Sequence, residues 1–229
     1  LGIGKNKDKF LIFDFCNNFD DFDENPQGAT PSRSRSLTER IFCQKSDMAL
    51  LLQREARTEF DKQLHGEFKN ELWQQVDGLG FERILVRKYG EEIDPFRAEK
   101  AWDNLKEADI PVLKNAIAPL LVASGDELAM MLDVLMYACE TAYLKKTAYP
   151  NAITDKIKTL CLILKTKKAN IPQVREQMAT IEEVMLDDFW THATLEDLER
   201  VRKVLRELVR FVIDERGVGP FDVDIVDIA

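Results

Sequence analysis

The sequence predicts a mainly α-helical chain, in which a C-terminal domain of several helices follows one residual β-strand. Apolar residues recur every three or four positions from Ser36 almost to the C-terminus, which is the spacing of a buried helix face. Residues 10–16 are nearly all apolar, as in a strand that is covered on both faces. No later stretch has the pattern of a partner strand, although a strand must pair its backbone groups with a neighbour.

Composition and charge disfavour several classes of protein. The 229 residues are 45% hydrophobic and 32% charged, which is typical of a soluble globular chain. The net charge of −9 disfavours nucleic-acid binding across the whole surface. The sequence contains no run of 18 apolar residues, so it predicts no membrane-spanning helix. The first residues lack the apolar core of a signal peptide. The widely spaced cysteines indicate buried, reduced thiols in a cytoplasmic protein; they are Cys16, Cys43, Cys139 and Cys161.

The N-terminal part of the chain is predicted to contain the strand and a linker. Residues 1–19 hold the strand, and residues 20–36 are expected to be an irregular connection, because they are rich in Asp, Pro, Gly and Ser. The acidic residues there lack the ligand spacing of a calcium loop. Asp14 is the charged exception within the strand. It is either a catalytic carboxylate at a strand end or, as we favour, a turn cap or ion-pair partner.

The helical domain is predicted over residues 37–216, followed by an extended tail at residues 217–229. Ser36 and Glu39 form a capping-box pattern, and Gly90 is interpreted as a helix stop. The long apolar segment around Tyr137 is expected to be core rather than a binding groove, and this includes Met130, Met131 and Met136. In order, helices are predicted from Ser36, over 55–76, over 81–89, from Pro95 through Trp102 and Leu105, from Asp109 to Leu121, and over 127–145, 153–165, 172–187 and 194–215.

One segment departs from the acidic balance of the chain. Residues 145–168 contain seven lysines and one aspartate, a local charge of +6. A solvated helix face is the favoured interpretation, and contact with DNA phosphates or with an acidic protein surface is the alternative. The candidate contact residues are Lys145, Lys146, Lys156, Lys158, Lys165, Lys167 and Lys168.

The sequence predicts no catalytic, cofactor-binding or metal-binding residue. Its two histidines, His65 and His192, have no second ligand at the spacing that a helix-borne metal site requires. The chain contains no nucleophile elbow, no Walker A motif and no local Cys/His pair that would form a nucleophile. Acidic pairs are frequent, but they are expected in a helical chain of this charge.

Several segments resemble one known family. Residues 7–19, with the sequence KDKFLIFDFCNNF, resemble the end of the second RecA-like motor domain in the R (restriction/translocase) subunit of type I restriction enzymes. The segments that follow in order resemble the C-terminal helical domain of the same subunit. These are residues 36–42 (SLTERIF), 101–105 (AWDNL), 188–190 (DFW), 195–198 (LEDL) and 205–208 (LREL).

The resemblance implies that catalysis and docking belong to different parts of the intact subunit. The intact subunit of that family uses ATP and Mg²⁺ to translocate duplex DNA and cleaves it, and its nuclease, ATP-binding and Mg²⁺-binding motifs are expected upstream of Leu1. This chain resembles the part that docks the motor onto the methyltransferase and specificity subunits. The resemblance also implies that the strand is a remnant of the RecA-like domain. The alternatives are a DNA-contacting helical module that uses the lysines, or a standalone helical regulatory protein.

Overall fold

The computed structural model describes residues 35–80, 82–122 and 125–212, all within the unit Arg35–Pro220. Every regular element in these ranges is helical, so the predicted helical class is confirmed there and no strand occurs among them. The predicted strand at residues 10–16, Asp14 and Cys16 lie outside the described residues. So do the tail at 217–229 and all of the predicted linker except its last two residues.

The described elements follow one another with short connections. The α-helices are α1 (Leu37–Glu55), α2 (Glu59–Asp77), α3 (Ile84–Lys88), α4 (Gly90–Arg97), α5 (Asp109–Val112), α6 (Glu127–Lys145), α7 (Asn151–Lys167), α8 (Pro172–Glu176), α9 (Met178–Val184), α10 (Asp187–His192) and α11 (Leu195–Leu208). Three short 3₁₀ turns lie at Glu99–Asn104, Ala118–Leu120 and Val209–Phe211, and a π turn lies at Leu113–Ile117.

Side-chain caps fix where the long helices begin. The Ser36 hydroxyl accepts the Glu39 backbone N–H (3.3 Å), so α1 begins where the sequence predicts. Full capping boxes open α2 and α11. In the box of α11, the Thr194 hydroxyl accepts the Asp197 N–H (3.2 Å) and the Asp197 carboxylate accepts the Thr194 N–H (3.0 Å). These bonds satisfy N–H groups that have no partner inside the helix.

Loss of the α11 cap has a measurable cost. We expect Thr194→Ala to lower the free energy of unfolding by about 1 kcal/mol, since the Asp197 N–H at the start of α11 loses its acceptor. Thr159→Ala is the matched control, because Thr159 is exposed within α7 and alanine favours a helix. Urea denaturation followed by far-UV circular dichroism measures both. Equal stability of the two variants would contradict the assigned cap.

Several predicted boundaries differ from the structure; α2, for example, begins at Glu59 rather than at residue 55. Gly90 is the first residue of α4 rather than the end of α3, and Pro95 lies inside α4 rather than beginning a helix. Pro95 has no N–H to bond the preceding turn, and α4 ends two residues later. The helix predicted over 172–187 is two helices. The Gln177 N–H bonds the Val174 carbonyl (3.2 Å), so the last turn of α8 tightens and α9 starts anew.

The core is organised around α1 and α6. Helix α1 packs along both α2 and α6, while α6 also packs against α11 and α7, and α7 packs against α9. Met130, Met136 and Tyr137 of α6 are buried, as predicted, and Met131 is half-buried. The largest fully buried side chains elsewhere include Phe42, Met48, Leu52, Phe68, Leu72, Ile93 and Trp102.

Three of the four cysteines lie in this core with free thiols, as the sequence predicts. Burial raises the pKa of Cys139 and of Cys161 to about 12, and it also raises the pKa of Cys43. These thiols therefore stay protonated at neutral pH, and they behave as small apolar side chains.

Candidate interaction surface

A groove lies where the end of α6, the start of α7 and α10 meet. Its volume is about 790 Å³. The aromatic residues of its lining are Tyr143, Tyr149 and Trp190, and the charged ones are Lys146, Asp155, Lys158 and Asp187. The groove therefore combines aromatic rings with both signs of charge, and it contains two of the seven lysines that the sequence singles out.

The turn between α6 and α7 shapes one side of the groove. Lys146, the residue that follows α6, caps it in the left-handed conformation (φ 56°), and the Thr147 N–H bonds back to the Ala142 carbonyl (3.0 Å). This arrangement is the usual way to close a helix, although glycine is the more common residue at this position. The Lys146 ammonium lies 2.8 Å from the Glu55 carboxylate, and this hydrogen bond lowers the pKa of Glu55.

The opposite side of the groove is built on Trp190. Its indole N–H donates to the Val184 carbonyl (2.9 Å), and its ring meets the Tyr149 ring edge-on, with centroids 5.6 Å apart. At the start of α10, the Asp187 carboxylate accepts a hydrogen bond from the Lys158 ammonium, which lowers the pKa of Asp187. These contacts hold α10 against the first half of α7.

The lysines of α7 do not share one face. Residues two positions apart on a helix point about 200° apart, so Lys156 and Lys158 lie on opposite borders of its exposed side. Lys158 and Lys165, seven positions apart, form one row and pair with Asp187 and with Glu182 (3.0 Å for Glu182). Lys156 and Lys167 form the other row.

Four of the seven lysines have no ion-pair partner among the described residues. Lys145 ends α6, Lys156 and Lys167 form the second row on α7, and Lys168 follows the end of α7. Their charges are compensated by no neighbouring carboxylate in the described ranges, and Lys145 and Lys167 are exposed. The candidate contact residues thus divide into an ion-paired set (Lys146, Lys158 and Lys165) and an unpaired set.

A second polar feature lies inside the domain. Arg202 of α11 donates to the Glu199 carboxylate of the same helix and to the Asp133 carboxylate of α6 (2.6 Å to Asp133). Arg206 donates to the second oxygen of Asp133 (2.9 Å). The side chains of Arg202, Asp133 and Glu199 are 10%, 8% and 2% exposed, so these three groups connect α6 to α11 largely shielded from solvent.

Cations also surround Tyr137 within this interior region. The Arg202 guanidinium lies 4.8 Å and the Lys45 ammonium 5.3 Å from the ring centroid, and Lys45 pairs with Glu71 of α2. Although burial opposes its charge, the hydrogen bond to Glu199 raises the pKa of Arg202. Arg202 therefore remains charged beside the aromatic face of Tyr137, which is a favourable contact when desolvated.

Our sequence reasoning missed both the aromatic part of the groove and the buried network. The network had one readable signal. Asp133 and Glu140 are the only charged residues between Glu127 and Lys145 of α6, and they lie seven positions apart, which places them on one face. Trp190 stood in a recognised segment, but nothing in its spacing predicted that it would meet Tyr149.

The described residues also place the histidines and the acidic side chains. His192 ends α10 and is exposed, with Nδ1 3.1 Å from the Asp188 carboxylate, while burial lowers the pKa of the half-buried His65. Within the described ranges, no three His, Cys, Asp or Glu side chains are grouped so that they could hold a metal ion. Among the helices described, none has the length and apolar character that crossing a membrane demands.

No family model matches the chain, and no curated protein or solved structure matches it significantly.

Proposed function

We propose that this chain is the C-terminal helical domain of an R subunit of a type I restriction enzyme. In this proposal it docks the ATP-dependent DNA motor onto the methyltransferase and specificity subunits in the cytoplasm, and it has no active site of its own. Residues 1–19 are then a remnant of the second RecA-like motor domain that contains its last strand. ATP and Mg²⁺ belong to the motor part of the intact subunit rather than to the residues of this chain.

One observation supports the proposal most strongly. The segments that resemble the family domain lie, in order, on packed elements of one helical unit. Residues 36–42 cap and open α1, and buried Trp102 lies in the 3₁₀ turn Glu99–Asn104. Residues 188–190 lie within α10, and residues 195–208 form α11. Each segment contributes buried side chains, so each has a structural reason for its apolar pattern.

A binding experiment tests the docking role. The purified chain is expected to associate with the cognate methyltransferase–specificity complex in a pull-down and in sedimentation velocity, and to hydrolyse no ATP. Circular dichroism provides the control that the chain is folded and helical. A folded chain that does not bind the complex contradicts docking, and ATP hydrolysis by the purified chain contradicts the assignment of a site-free domain.

A DNA-contacting module is the second candidate, and the four unpaired lysines are the observation that favours it. For this role, binding to duplex DNA must weaken steeply with salt and weaken further when lysines are neutralised. We expect instead no duplex binding at physiological salt, because the lysines of α7 lie in two rows and the chain carries a net charge of −9. Fluorescence anisotropy with a labelled duplex measures this.

The matched variants are Lys156→Gln with Lys167→Gln, and Lys62→Gln with Lys203→Gln as a control on other helices. Lys62, Lys167 and Lys203 are exposed, and Lys156 is partly buried. The decisive result is salt-dependent binding to duplex DNA that is weakened by the α7 double variant and unchanged by the control double variant. That result would replace docking with DNA contact as the proposed function.

A further inference from the structure

Glu140 of α6 is the most unusual side chain in the described part of the chain. Its relative exposure is 0%, and neither carboxyl oxygen has a hydrogen-bond partner among the described residues. A buried polar group without a partner is costly, and a buried unpaired charge costs far more. Natural sequences keep such groups chiefly where they serve a function, since an apolar residue would pack there at lower cost.

The surrounding charges balance without Glu140. The carboxylates of Asp133 and Glu199 are matched by the guanidinium groups of Arg202 and Arg206, and Lys45 is matched by Glu71. An ionised Glu140 would add a third carboxylate to the interface between α6 and α11. Burial, and next the nearby Glu199 carboxylate, raises the pKa of Glu140 well above its usual range.

The charged groups around Glu140 can be assigned to the elements that pack against α6. From α11, Glu199 and Arg202 act on Glu140; from α1, Lys45 does; and Asp133 acts from α6 itself. The turn Val209–Phe211 presents Arg210, which is exposed and stacks on Phe211. The buried side chains of α7 are uncharged: Thr154, Ile157, Leu160, Cys161 and Leu164. The nearest cations are therefore already engaged with other groups.

We propose that Glu140 is a proton-dependent latch between α6 and α11. Protonated, it is neutral and leaves the ion pairs of Arg202 balanced, so α11 stays packed on α6. When Glu140 is ionised, it adds a third negative charge near Asp133 and Glu199. The repulsion between these carboxylates loosens the packing of α11 on α6. The proposal concerns only residues in the described interior, and it holds or fails independently of the proposed function.

The direction of the pH effect follows from the two states. In the unfolded chain Glu140 titrates near its ordinary pKa of 4.5, and in the packed domain its pKa is higher. Below the ordinary value both states are protonated and Glu140 has no effect. As the pH rises above this ordinary pKa, the unfolded or opened state loses the proton first. The equilibrium constant for packing α11 on α6 then falls by roughly tenfold per pH unit, until the pH passes the pKa of the packed state.

Hydrogen exchange on the full chain tests the latch. Protection factors of the α11 backbone amides, corrected for the intrinsic exchange rate, are compared between about pH 6 and pH 8.5 in the wild type, in Glu140→Gln and in Glu207→Gln. Glu207 is an exposed carboxylate on α11, so its variant makes the same charge change at the surface. We expect protection to fall with pH in the wild type and in Glu207→Gln, and to change less than about twofold in Glu140→Gln.

Two results would overturn the latch. One is a protection factor of the α11 amides that does not fall between about pH 6 and pH 8.5 in the wild type. This result needs no variant. The other is the same pH dependence in the wild type and in Glu140→Gln. If glutamine does not fit the site and the variant does not fold, Glu140→Met supplies the neutral side chain instead, and the same comparison decides the outcome.

Discussion

Arg202→Met is expected to destabilise the helical domain by about 3–5 kcal/mol, because it leaves two buried carboxylates without their main partner. Arg202 bonds both Asp133 of α6 and Glu199 of α11, and only half-exposed Arg206 would remain to compensate Asp133. Methionine keeps the length and the apolar stem of the side chain. The decrease in the free energy of unfolding therefore measures the effect of the guanidinium charge and its hydrogen bonds. Urea denaturation of the full chain gives the free energy of unfolding.

Two controls separate the buried pairs from a general effect of losing a cation. Lys203→Met removes a neighbouring charge at an exposed position and is expected to change stability by less than about 0.5 kcal/mol. Combining Arg202→Met with Asp133→Asn and Glu199→Gln removes the uncompensated charges, so most of the lost stability is expected to return. A mild effect of Arg202→Met alone would show that the network is not a major tie between α6 and α11.

Trp102→Ala is expected to cost about 3–5 kcal/mol, because it opens a large cavity in the core. Trp102 is 1% exposed; its ring lies 5.7 Å from the Phe96 ring, and its N–H donates to the Phe96 carbonyl (2.9 Å). Trp102→Phe keeps most apolar contacts but leaves that carbonyl unpaired, so its cost is expected to be smaller, about 1–3 kcal/mol.

Ile84→Ala is the control for the tryptophan variants, since Ile84 is an apolar residue that is 75% exposed. It is expected to change stability by less than about 0.5 kcal/mol. Far-UV circular dichroism is the suitable probe, because removing a tryptophan alters fluorescence directly. If Trp102→Ala were as mild as Ile84→Ala, the 3₁₀ turn Glu99–Asn104 would not be anchored as the structure describes.

Helix periodicity and capping patterns predicted most of the described fold. The start of α1 at Ser36, the full extent of α6 and the start of α11 after Thr194 were readable because they depend on local spacing. The boundaries around Gly90, Pro95 and Gln177 were not, because glycine and proline were interpreted as breaks without knowing the surrounding contacts. Tertiary packing and local turn geometry decided those positions.

The candidate sites were much less predictable than the fold. The lysine segment was visible as composition, but which of its rows on α7 is ion-paired depends on where α9 and α10 lie against α7. The interior network requires Asp133 of α6 to meet Arg202 of α11, 69 residues apart. Sequence patterns within one helix show which residues share a face, but they do not show which other helix covers that face.

The sequence of the reading frame immediately upstream of the Leu1 codon distinguishes an R-subunit domain from a standalone protein. We expect this frame to continue, uninterrupted, into helicase motifs. It should encode an ATP-binding lysine, an acidic Mg²⁺-binding box and a final motif arginine, with a methyltransferase gene and a specificity gene nearby. A separate short gene that begins at this point, with no motor sequence in frame, would rule out the R-subunit proposal and favour a standalone helical regulatory protein.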